Sequence, residues 1–289
     1  MSQAPPVPTL NRPVSQTCTI NQFAEPAYTY WCSRMQEAPR THRKQWEYCY
    51  ILQALALSGM LAPGRRGLGY GVGLEPLPAV LCSLGCTVLG TDQAAAAALA
   101  KGWTNTDQFS GHVDDLNTQG LCPAEQFGQL ASYRTVDMNH IPADLRGFDF
   151  TWSSCALEHL GSIAAGLRFI EASLAPLDHG GAAVHTTELN CSSDTDTLEE
   201  GSTVIFRRRD FAQVVQTLRA AGHRVLPLNF HPGASALDAF VDVPPFTAEQ
   251  HTKLQLGRYV STSFGLIIYK NSGPGGAPTT SPVDAPGAP

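Results

Sequence analysis

Four glycines at alternate positions, Gly67, Gly69, Gly71 and Gly73, restrict the fold of this chain more than any other feature. They stand inside RRGLGYGVGLEPLPAVLCSLGCTVLGTD, residues 65–92. That stretch reads as a short strand, a glycine-rich turn, a helix, a second strand and an acid closing it. Such a turn needs positive φ or a close backbone approach, which glycine allows without steric cost. Glu75-Pro76 opens the helix, where the missing proline N–H costs nothing. Cys86-Thr87-Val88-Leu89 then delivers Asp92, 19 positions after Gly73. Glycines under a helix N-terminus and a carboxylate at that distance make a nucleotide site, with the acid meeting ribose hydroxyls. The glycines alone are equally compatible with an ordinary tight turn; the flanking strand, helix and acid favour the site.

At 289 residues the chain suits one large domain, or a domain with an added segment. Hydrophobic residues make up 43% and charged residues 15%, a globular and soluble balance. No apolar run approaches the roughly 20 residues of a membrane span. MSQAPPVPTLNRP carries no charged segment leading into an apolar one, so a cytoplasmic location without membrane contact is expected. A net charge of −6, with Arg207-Arg208-Arg209 the one basic cluster, leaves no footprint for nucleic acid. The eight cysteines lack CxxC pairing and read as small buried hydrophobes in place of zinc ligands or disulfides. The sequence does not express an oligomeric state.

In chain order, residues 1–17 are proline-rich and expected to be disordered or loosely packed. Residues 18–62 form an N-terminal helical segment, with a helix from Arg43 to Met60 ended by Pro63-Gly64. That helix either covers a sheet edge or serves as a lid with Trp46 or Tyr30 near the open side, and the two are compatible. Residues 63–270 form the main domain. A helix is expected over Gln93–Lys101, then a polar loop, a strand Tyr133–Val136 ending in Asp137-Met138, and a strand Phe148–Trp152 followed by SSCALEHLGS. A helix from Ile163 to Ala175, a strand Ala182–Thr187, a helix within Phe206–Ala221, and strands Arg224–Asn229 and Ser263–Lys270 complete it. Residues 271–289 are a proline/glycine tail with nothing to bury. The fold class is therefore α/β, with polar residues concentrated after strand ends, where a doubly wound parallel sheet opens its ligand crevice.

GLGYGVG, the acid after the second strand, VDM after the third, FDFTWSS at the fourth and the Gly180-Gly181 turn before the fifth resemble class I S-adenosylmethionine-dependent methyltransferases, over roughly residues 43–270. The resemblance implies a mostly parallel seven-stranded sheet with an antiparallel last strand, and S-adenosylmethionine as cofactor. It places Gly69, Gly71 and Gly73 under the methionine part, Asp92 at the ribose, Asp137 at the adenine amino group and Met138 on the ring. Tyr70, Gln93, Ser153 and Ser154 stand beside them. The family often has an acid where Gly67 stands, so Glu75 or the N-terminal segment is the alternative holder of the methionine ammonium. A dinucleotide oxidoreductase is the structural competitor; it usually lacks the aspartate-plus-apolar pair after the third strand.

Methyl transfer from a sulfonium is an in-line displacement, and a hydroxyl acceptor needs a base or a metal. Glu158-His159 after the fourth strand and His185 to Glu188 on the fifth supply two Glu and two His. Glu158, His159 and Glu188 are the catalytic candidates; Glu158, His159, His185 and Glu188 are a possible divalent-metal set, with structural histidines the alternative. Leu157-Glu158-His159 resembles the triplet of quinone-biosynthesis and small-RNA 2′-O-methyltransferases, some of which use a metal there. The latter carry a further Glu where this chain has Cys155. Arg207 to Arg209 read either as an anion contact or as local salt bridges with Glu199, Glu200 and Asp210. An insertion around His231, Asp238 and Asp242 suggests an acceptor pocket for a polar small molecule or glycan precursor. O-methylation is the expected reaction; N-methylation of an amine and non-catalytic cofactor binding are the alternatives.

Overall fold

The structure, a computed structural model, describes residues 5–95, 99, 109–247 and 250–271. The expected helix over Gln93–Lys101 falls largely outside these residues, as does the tail from residue 272. The strands are β1 Ser15–Thr17, β2 Arg66–Tyr70, β3 Thr87–Asp92, β4 Ala131–Thr135, β5 Phe148–Ser154, β6 Leu177–Asn190, β7 Arg224–Val225, β8 Leu228–Asn229, β9 Lys253–Leu256 and β10 Tyr259–Tyr269. The α-helices are α1 Pro26–Arg34, α2 Arg43–Leu57, α3 Leu77–Ser83, α4 Ala124–Leu130, α5 Ile163–Ala172 and α6 Arg208–Ala220.

All ten strands join one sheet, whose main path runs β4-β3-β2-β5-β6-β10-β1-β8. The pairs from β4 through β6 are parallel, and β10 lies antiparallel to β6. The sheet is thus doubly wound, mostly parallel and closed by an antiparallel last strand, as the motifs imply. Helices α1 to α4 bury one face, where Trp46, Leu77 and Phe127 meet Phe150 and Trp152. Helices α5 and α6 bury the other, where Phe169 and Phe211 meet Tyr70 and Phe264.

Among the described residues the sheet exceeds seven strands by three: β9, which pairs antiparallel with the start of β10, and two more. The expected strand Arg224–Asn229 is broken by Pro227, which has no N–H for a ladder and confines pairing to its flanks. Its first half, β7, pairs with β10, whereas its second half, β8, pairs with β1. The N-terminus is not loosely packed as expected. Strand β1 is fully buried between β8 and β10, and Leu10 is buried with it.

Gly67 and Gly69 lie within β2, ahead of the turn, and serve ring packing. A Cβ on Gly67 would stand 2.3 Å from the Phe150 ring, and one on Gly69 2.3 Å from the Trp152 ring. Helix α2 approaches β10 in the same way, since a Cβ on Gly265 would stand 2.1 Å from the Tyr50 ring. The Tyr50 hydroxyl donates to the Val14 carbonyl at 2.7 Å, which ties the helix to the strand-β1 segment. Gly265→Ala should therefore lower stability by about 1–3 kcal/mol through overpacking. Urea midpoints check this, and Tyr50→Leu in the same chain should recover part of the loss. An unchanged midpoint for Gly265→Ala counts against the close approach.

Candidate functional site

The carboxyl ends of β2 to β5 open into a cleft of about 860 Å³, its open mouth included. Its floor is the turn after β2, where Gly71 has φ +60° and Gly73 φ +48°. A Cβ on Gly71 would also meet Ala156 at 2.8 Å, so both backbone and space demand glycine there. Asp92 lines the cleft while its Oδ2 accepts the Gly73 N–H at 3.1 Å and its Oδ1 the Gln93 N–H at 2.7 Å. Burial raises its pKa, and these two N–H donors oppose the rise. Asp137 and Met138 form the side wall beyond β4, with Asp137 oriented by the Asn139 N–H at 2.9 Å and by His140 at 2.9 Å.

Glu75 closes the inner end. Its Oε1 accepts the Trp152 indole N–H at 2.6 Å, and burial pushes its pKa up to about 8. Helix α2 supplies the facing wall with Lys44 and Tyr48, neither of which the motifs identified. Trp46 instead lies wholly in the core, and its indole donates to Gln22 at 3.0 Å. Glu47, also missed, has no exposed side-chain surface. It accepts from the Ser154 hydroxyl at 3.2 Å, the Cys155 thiol at 3.0 Å and the Ser263 hydroxyl, and pairs with Lys44 at 3.3 Å. Burial works to raise its pKa, but Lys44, Arg43 and the hydrogen bonds outweigh it and hold the carboxyl below its ordinary value. The signal was present as Arg43-Lys44-x-x-Glu47, charges on the first turns of an otherwise apolar helix.

On the cleft wall, Cys155 takes φ +46°, a left-handed conformation costing a non-glycine residue about 1–3 kcal/mol. Its thiol pKa is raised by burial and by Glu158 and Glu47, so it stays protonated and donates to Glu47. Glu158 is buried and accepts the Thr187 hydroxyl at 2.9 Å. His159 does line the cleft. Its Nδ1 faces the Ser202 carbonyl at 2.7 Å and must carry the hydrogen, which leaves the basic lone pair on Nε2, 4.0 Å from Glu158. Glu188 is pinned by Arg43 at 2.5 Å and by Ser261, behind the cleft surface.

Several expected site residues point elsewhere. Successive strand residues face opposite sides, so Ser154 reaches the cleft while Ser153 faces α5. Tyr70 and Gly69 likewise do not line the cleft; Tyr70 packs edge-on against Phe169. His185 is buried between the Ser153 hydroxyl at 2.8 Å and the Ser173 hydroxyl at 3.0 Å, with both ring nitrogens engaged. It cannot be a metal ligand in this arrangement. Arg207 is buried against Asp210 at 2.9 Å and Glu199 at 2.5 Å, which takes up the positive charge expected for an anion. In the insertion, Asp238 accepts the Ile20 N–H at 2.8 Å and Asp242 pairs with His251 at 2.5 Å. Those acids are committed to structure.

Among the described residues, one group could offer metal ligands: Cys155, Glu158 and Glu188, with donor atoms within 4.8 Å of one another. Arg43 already holds Glu188, Thr187 donates to Glu158, and the Cys155 thiol donates to Glu47. Arg43 and Lys44 match the charges of Glu188 and Glu47, so a resident divalent ion does not fit without displacing protein donors.

No family model and no curated protein matches the chain. Solved structures that resemble it include a candidate sarcosine dimethylglycine methyltransferase of Galdieria sulphuraria, with 13% identity and a TM-score of 0.49 over 79% of this chain and 84% of that one. The glycopeptide N-methyltransferase MtfA complexed with sinefungin resembles it at 12% identity and a TM-score of 0.45, over 79% and 94% of the two chains. An S-adenosylmethionine-dependent methyltransferase of Clostridium acetobutylicum resembles it at 11% and 0.43, over 85% and 97%. The doubly wound, mostly parallel sheet stands on its own strand order and pairing. At such identities the likeness does not extend to activity. No helix among the described residues is long and apolar enough to cross a membrane.

Burial lowers the His185 pKa from 6.5 to about 3. Between those values the unfolded chain binds a proton that the folded chain does not, so stability rises with pH across that window. His185 should make the fold about 2 kcal/mol less stable at pH 5 than at pH 8. His42, lowered to about 4 mainly by burial, acts in the same direction. Urea unfolding of His185→Gln at the two pH values should show a reduced difference.

Proposed function

We propose that the protein is an S-adenosylmethionine-dependent methyltransferase acting on a hydroxyl of a polar small molecule or glycan precursor. The observation carrying this reading is one cleft that joins the Gly71–Gly73 turn, Asp92 and the Asp137-Met138 pair to a wall bearing His159. The turn admits a ligand close to backbone, Asp92 offers its carboxylate to ribose hydroxyls, and Asp137 and Met138 suit an adenine edge and face. The cofactor supplies an electrophilic methyl group on a sulfonium. The chain's part is to hold the acceptor in line and to remove its proton. His159, on the cleft wall, is the side chain placed to take that proton. Glu158, behind it, stabilises the imidazolium that results, while the Ser202 carbonyl keeps the ring in the required tautomer. Glu188 acts only indirectly, by holding Arg43 and with it the first turn of α2.

Calorimetry should register binding of adenosylmethionine but not NADH, with the adenosylmethionine signal unchanged by EDTA. Absence of adenosylmethionine binding rejects the reading, and loss on chelation restores a metal role. His159→Gln should lower turnover about 10²- to 10⁴-fold, the usual worth of general-base catalysis, with cofactor affinity unchanged. A small loss instead favours an amine acceptor, whose neutral nitrogen needs no strong base. Binding without turnover of any acceptor favours a non-catalytic cofactor-binding protein.

A further inference from the structure

The acid that the family often carries at the end of its first strand has no room in this chain. Any side chain at Gly67 begins 2.3 Å from the Phe150 ring, and the Phe150 and Trp152 rings lie side by side with centroids 6.0 Å apart. The same Trp152 presents its indole N–H to Glu75. The carboxyl group is thereby moved from the strand to the far side of the glycine turn, where it lines the cleft with only 7% of its surface exposed.

A second ionisable side chain lines the same cleft. Lys44 extends from α2 with 35% of its side chain exposed. Two of its ammonium hydrogens are directed to Glu47 at 3.3 Å and the Ser154 carbonyl at 3.2 Å, and its nitrogen lies 5.8 Å from the Tyr48 ring centre. An ammonium has three donors, so one remains for a ligand in the cleft. The charged groups that act on Glu75 are Lys44 from α2, Asp92 from β3 and Glu47 from α2. A carboxyl and an ammonium anchored in one cleft match a ligand that carries an ammonium and a carboxylate on neighbouring atoms, and a ligand ammonium beside Glu75 favours the ionised carboxylate that burial alone disfavours.

We infer that Glu75 and Lys44 form a seat for an α-amino-acid head group, with Glu75 accepting its ammonium and Lys44 donating to its carboxylate. The seat rests on the cofactor reading above, in which this head group is the methionine end. Asp92 and Asp137 then hold the nucleoside, and the seat sets how deep the sulfur sits beneath His159.

The experiment uses the full chain and three nucleosides: adenosylhomocysteine with the whole head group, decarboxylated adenosylmethionine without the carboxylate, and methylthioadenosine with neither charge. A charge-assisted hydrogen bond is worth about 1.5–3 kcal/mol, about tenfold to hundredfold in affinity. Lys44→Met should weaken adenosylhomocysteine by that factor and leave decarboxylated adenosylmethionine unchanged, and Lys44→Arg should restore most of the loss. Glu75→Gln should weaken both of these ligands and leave methylthioadenosine unchanged. The constancy of methylthioadenosine also shows that each variant remains folded. If methylthioadenosine binds wild type as tightly as adenosylhomocysteine, or if Lys44→Met weakens all three alike, the seat is overturned while the cofactor reading stands. If none of the three binds wild type, both fall.

Discussion

A carboxylate with no exposed surface has to be met by donors, and Glu47 is such a group. Its partners come from three places: Arg43 and Lys44 one turn earlier on α2, Ser154 and Cys155 at the end of β5, and Ser263 on β10. No other position of the helix would satisfy all of them together. The Arg43–Glu188 pair adds a third tether to the sheet, at β6. The wall of the cleft is therefore placed by buried electrostatics at its N-terminal turns, and by the Tyr50–Gly265 contact one turn further on. Breaking a buried ionic set of this kind leaves an uncompensated charge, which makes the arrangement specific more than it makes it strong.

The glycines of β2 have two separate tasks. Gly67 and Gly69 leave one face of the strand bare, and two aromatic rings of β5 lie in the space. Gly71 and Gly73 then turn the chain with positive φ under the cleft. The first pair excludes a strand-borne acid and brings Trp152 within reach of Glu75. One packing choice thus determines the core and relocates a charge within the site.

The fold was legible in the sequence to a large degree, because the parallel strands announce themselves as apolar runs that end in polar residues. Asp92, Asp137, Met138 and Glu75, expected from strand ends and from the family resemblance, all line one cleft. What could not be read depended on contacts between distant segments. The role of Glu47 emerges only when α2 is seated on Ser263, and the strand character of Ser15–Thr17 exists only because β8 and β10 flank it. Ser153 and Tyr70 were misjudged by a single residue of strand register, which decides the side of the sheet a side chain meets. For His185 the structural alternative holds: its ring is engaged by Ser153 and Ser173, across the sheet from the cleft.

Strand β1 carries a consequence for how the molecule is assembled. Its Ser15 hydroxyl accepts the Ile267 N–H, a partner 252 residues further along the chain. Strand β1 therefore completes its pairing only with a strand that lies far downstream. Until that strand is made, β1 has only β8 beside it and lacks its β10 neighbour. A nascent chain can complete the β4-to-β6 half early, whereas the β1 edge is sealed only once β10 has been made. Two segments far apart in the sequence are thus locked together at the rim, and β1 acts as the clasp.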